Sequence, residues 1–172
     1  MDETAERKRA ALETLYASYG IVNCICRQGE LPPARLGVSH RMSPNTLAYA
    51  QDPRIGPYRI VFNARVCRGL GDADLLQVMV HEMIHIWQFT CGRRGGHGKD
   101  FQDEQRRLGL VLGRVIPGTS PMGYVLFMHE LKQLHPAEAL DCLASHPQDR
   151  RLETDFFAQR ARNLHADAYK RT

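Results

Sequence analysis

Residues 72–89, DADLLQVMVHEMIHIWQF, constrain this chain more than any other stretch. Leu75, Leu76, Val78, Met79, Val80, Met83, Ile84, Ile86, Trp87 and Phe89 occupy almost every direction around a helical axis. A helix that is apolar all round is a buried one. Asp72 is placed to cap its first turn, Asp74 suits the positive end of its dipole, and the helix is expected to end near Thr90. His81, Glu82, His85 and Gln88 interrupt its apolar interior. Two imidazoles and a carboxylate buried without partners would cost on the order of several kcal/mol, so they call for an explanation. Their spacing offers one. Residues four apart stand one turn above each other, so His81 and His85 can present two nitrogens to a single ion. Glu82 lies about 100° around the axis, outside that ligand direction but within reach of a water beside the ion.

The flanking sequence predicts an α+β domain. Ala11, Leu12, Leu15, Tyr16 and Tyr19 fall at helical spacing between residues 3 and 19, with Gly20 as the expected stop. From Ala34 to Val66 the pattern changes to short runs, LGVSH, TLAYA and YRIVFNARV, divided by Ser43-Pro44-Asn45 and Asp52-Pro53. These read as three strands, expected to form a small antiparallel sheet packed on the HExxH helix. The glycine-rich CGRRGGHG reads as a loop, and Lys99 to Leu110 as another helix. Further on come a strand at GYVLFM, a helix from near Pro136 and a last helix from about Leu152 to Ala168. A length of 172 residues fits a single domain, 1–172, with a helical C-terminal extension over about 135–172.

Composition narrows the setting. The N-terminus alternates acids and bases where a secretory signal would need an unbroken apolar run, and no stretch is long and apolar enough to span a bilayer. Five scattered cysteines, with no pair of CxxC motifs, suggest reduced thiols and a cytoplasmic protein. They also exclude a four-thiolate zinc ribbon, so a zinc ion here must be held mainly by histidine. The formal charge of +4 is too small to mark a dedicated nucleic-acid binder.

Chance produces HExxH in a chain of this composition about 2% of the time, so the motif needs support from its surroundings. A catalytic zinc takes three protein ligands and leaves a fourth position for water. In HExxHxxGxxH the third histidine follows five residues after the second; here those residues are IWQFT and Cys91 comes next, so that arrangement is absent. His97, in the glycine-rich loop, and Glu104, on the following helix, both remain as third-ligand candidates on spacing alone.

HEMIH followed by HGKDF at His97 to Phe101, ahead of a helix, resembles the SprT-like zinc metallopeptidases. Arg41-Met42-Ser43 and the short strands upstream are also similar, giving a core of likeness over about 35–130. The resemblance implies a minimal zincin-like catalytic domain, here without the C-terminal zinc ribbon that many members append. It implies His97 as third zinc ligand beside His81 and His85, with Glu82 as the catalytic base. It implies a zinc-dependent endopeptidase acting on protein substrates, including proteins bound or crosslinked to DNA. Arg93, Arg94, Lys99, Arg106 and Arg107 are the groups that could contact DNA, single-stranded DNA included. Two alternatives stand beside this reading: a non-catalytic nucleic-acid-associated module that zinc merely stabilises, and a peptidase that uses Glu104 as third ligand. Tyr124, in the GYVLFM run, is a candidate for oxyanion stabilisation.

Overall fold

The structure is a computed structural model that describes residues 2–108 and 134–146. The expected strand at GYVLFM with Tyr124, and the helix from Leu152 to Ala168, lie outside the described residues. The rest is α+β. Helix α1 (Glu3–Arg27) leads into strands β1 (Arg35–Ser39), β2 (Ala48–Gln51) and β3 (Arg59–Asn63), with a 3-10 turn at Pro53–Ile55 before β3. Helices α2 (Ala64–Cys67), α3 (Asp72–Thr90), α4 (Lys99–Arg107) and α5 (Pro136–Ser145) follow.

Helix α1 begins at Asp2, whose carboxylate accepts from Thr4 N at 3.0 Å, and carries Glu3 and Glu6 in its first turn. It runs past Gly20, the expected stop, because its buried side continues through Val22 and Asn23. One glycine inside a helix costs about 1 kcal/mol. Asn23 outweighs that: its buried amide donates to Leu31 O at 3.0 Å and accepts from Leu31 N at 3.1 Å. The helix ends at Gln28, in the left-handed region at φ 55°, with the N–H groups of Gln28 and Gly29 donating to Cys24 O and Asn23 O.

The sheet is mixed rather than antiparallel throughout, with strand order β1-β3-β2. β3 pairs antiparallel with β2 and parallel with β1. Asn63, fully buried at the end of β3, shows why. Its Nδ2 donates to Ser43 O at 2.8 Å and Thr46 O at 2.7 Å, and its N–H to Leu47 O. The β1–β2 connection is thus draped over the end of β3, so β1 and β2 flank β3 instead of pairing with each other. Asn63 Oδ1 also accepts from Arg65 N and starts α2, which turns the end of the expected third strand into helix.

Helix α3 matches its expected span and lies against β2, β3, α4 and α5. Leu75, Leu76, Met79 and Ile86 are fully buried, each contributing about 1.5–3 kcal/mol of apolar burial. Its cap differs from expectation: Gly71 occupies the N-cap position with no side-chain hydrogen bond. Asp72 instead accepts from Ala137 N at 2.8 Å and fastens the start of α5, which follows Pro136 as expected. No helix among the described residues is long and apolar enough to cross a membrane.

Gln77, fully buried on α3, has no partner for either amide atom among the described residues. A buried unsatisfied polar group costs about 1–3 kcal/mol, and an apolar isostere removes that penalty. Gln77→Met should therefore stabilise the fold by about 1–2 kcal/mol in urea unfolding, with an unchanged m-value.

Candidate metal centre

His81 and His85 project from one face of α3, and the loop after the helix returns to bring His97 to them. His97 Nε2 lies 3.0 Å from His81 Nε2 and 3.2 Å from His85 Nε2. Phe101, fully buried on α4, supports the group from below, with ring centroids 4.8, 4.6 and 4.7 Å from those of His81, His85 and His97. Glycine permits the loop's return. Gly92 takes φ 70°, and a Cβ on Gly95 would stand 2.8 Å from the Phe89 ring.

The donor chemistry suits a metal ion. A ring nitrogen carries either one proton or one in-plane lone pair, so His97 Nε2 cannot make a well-directed hydrogen bond to both His81 and His85. A shared cation relieves that conflict. Tetrahedral zinc with bonds of about 2.0–2.1 Å sets its ligand nitrogens about 3.3 Å apart, close to the separations here. His81 is pushed down to about 3, first by burial and then by the charges of His85 and His97; burial likewise lowers His85. Both rings are therefore neutral at physiological pH, the form in which imidazole binds metals. These three histidines are the one metal-competent cluster among the described residues.

Glu82, 5% exposed, is reached from β2 by the N–H of Ala50, which donates to it. Glu104, the other third-ligand candidate, is occupied elsewhere. Its carboxylate meets Arg27 at 2.6 Å and Arg107 at 2.6 Å, a paired group between α1 and α4. The structure thus brings His81, His85 and His97 together and leaves Glu104 out.

The five basic residues divide in a way their sequence does not reveal. Arg93 pairs with Asp100 at 2.9 Å, Arg106 with Asp103 at 2.8 Å, and Arg107 with Glu104. Arg94 and Lys99, on either side of His97, have no ion-pair partner among the described residues.

Sequence reasoning found no task for Gln88 or Asp100. Gln88 was nevertheless visible as a polar interruption three residues beyond His85, on the same helical face. In the structure its Oε1 lies 2.9 Å from His85 Nδ1, while Asp100 accepts from Gln88 and Arg93. Those bonds hold the Asp100 carboxyl down at about 2. Gln105, also buried, has its Nε2 3.4 Å from His81 Nδ1.

Burial pushes Glu82 up to about 8 from an ordinary 4.5, against the opposing hydrogen bond from Ala50. The folded chain therefore retains a proton that the unfolded chain releases, and its stability falls as pH rises from about 4.5 to about 8. In excess chelator, Glu82→Gln should melt with the wild type near pH 5 and several degrees above it at pH 8, as read by scanning calorimetry.

A model of the SprT-like family matches residues 15–120, from the middle of α1 through the whole cluster and beyond α4. The match begins earlier than the expected limit at 35, because α1 belongs to the shared domain. No curated protein and no solved structure matches the chain. A family match over more than half the chain, centred on HEMIH and a converging third histidine, places the protein in the SprT-like family.

Proposed function

We propose that the protein is a zinc-dependent endopeptidase in which His81, His85 and His97 hold the metal and Glu82 is the catalytic base. The observation that carries this reading is the convergence of three Nε2 atoms from two separate segments, beside a buried glutamate on the same helix. Imidazole ligands favour zinc among the available divalent metals. When bound, zinc supplies a Lewis acid that acidifies water and polarises a peptide carbonyl.

The remaining steps belong to the chain. A Glu82 carboxylate oxygen accepts the proton of the attacking water and then delivers it to the leaving amine nitrogen. A cation held by the three histidines would favour the ionised Glu82 carboxylate against the effect of burial, and that ionised form is the one that acts as a base. The Ala50 N–H orients it from β2. Phe101 excludes solvent from the inner side of the imidazoles. No covalent intermediate is needed.

For substrates, we propose proteins held on DNA. Arg94 and Lys99 flank His97 and are free of the ion pairs that occupy their basic neighbours, which makes them the best placed to meet phosphates beside the site. The domain is proposed to act in the cytoplasm and to comprise the whole chain.

Glu82→Gln should retain one zinc per chain and lose at least about 100-fold of its cleavage rate on a DNA-binding protein such as a histone. Adding single-stranded DNA should stimulate the wild type, with the stimulation fading as salt rises. Equal cleavage by mutant and wild type would refute the role of Glu82, and DNA-independent cleavage would refute the substrate class.

A further inference from the structure

Gln88, 1% exposed, faces four groups. Its Oε1 lies 2.9 Å from His85 Nδ1 and accepts from Gly96 N at 3.3 Å. Its Nε2 donates to Gly96 O at 2.9 Å and to Asp100 Oδ2 at 3.0 Å. Three of these groups cannot reverse their roles. The Asp100 carboxylate, paired with Arg93, and the Gly96 carbonyl can only accept, and the Gly96 N–H can only donate. The amide is therefore fixed with its oxygen toward His85, and His85 Nδ1 must donate to it. That leaves the Nε2 lone pair of His85 turned toward His97 Nε2.

The same amide also anchors the loop. Gly96 immediately precedes His97, and Asp100 lies in the first turn of α4 beyond it. Independently of the side chain, the backbone carbonyl of Gln88 accepts from Arg93 N at 2.9 Å. One side chain thus controls the orientation of one histidine and the position of another.

We propose that Gln88 is a positioning residue for the metal centre: it sets the His85 tautomer and, through Gly96 and Asp100, pins the loop that carries His97. Metal affinity then depends on an amide that does not touch the metal. The inference rests on the reading of the three histidines as ligands. Hydrogen-bond partners of metal-binding histidines commonly change affinity by about 10–100-fold when removed.

Nitrogen-edited NMR of the protein in chelator, together with cobalt(II) titration, tests the proposal. The wild type should show neutral His85 protonated at Nδ1, and Gln88→Leu should shift it toward the other tautomer. Cobalt affinity should fall about 10–100-fold in Gln88→Leu, with a weakened tetrahedral absorption band. Asp100→Ala should keep the His85 tautomer, because Gly96 O and N–H still orient the amide, and still lose affinity several-fold, because the tie to α4 is cut. It also serves as the test if Gln88→Leu fails to fold. An unchanged tautomer in Gln88→Leu, or affinities within twofold of wild type in both variants, would overturn the proposal. A wild type with the expected His85 tautomer that binds no cobalt would instead overturn the metal-ligand reading.

Discussion

The structure depends on a conflict inside α3. A helix buried on nearly every side also carries the imidazoles of His81 and His85, the Glu82 carboxylate and the Gln88 amide, and other elements supply partners to all of them. β2 offers Ala50 to Glu82, the loop brings His97 to the other two histidines, and α4 supplies Phe101 and Asp100. The neighbours of α3 are arranged around those demands as much as around its apolar surface. Burial that would be a liability in an ordinary helix keeps the imidazoles neutral and available for a metal.

Local pattern made much of this readable in the sequence. The span of α3, the three strands, the glycine-rich loop and the start of α5 follow from periodicity and from turn residues, which act over a few positions. The rest was decided by partners distant in the chain. Gly20 reads as a stop until Asn23 is seen to bind Leu31, and Asp72 reads as a cap for α3 until it is seen on Ala137. The parallel pairing of β1 with β3 follows from Asn63 holding the connection above it.

The site was legible to the same degree. HExxH is a local motif, so His81, Glu82 and His85 could be singled out directly. Spacing left His97 and Glu104 level, and only the family resemblance separated them. The structure adds a physical reason: Arg27, near the end of α1, comes down on Glu104 and engages its carboxylate. Gln88 stood out only as a polar interruption of α3, and its task, like that of Asp100, was unreadable because a second layer of hydrogen bonds has no fixed sequence spacing.

These contacts reduce the account to one claim, that three histidines and no carboxylate hold a single metal ion. Metal analysis of the purified wild type, His97→Ala and Glu104→Gln tests it most directly. The account predicts one zinc per chain in the wild type and in folded Glu104→Gln, and none retained by His97→Ala. Full zinc in His97→Ala, or zinc lost from folded Glu104→Gln, would contradict it.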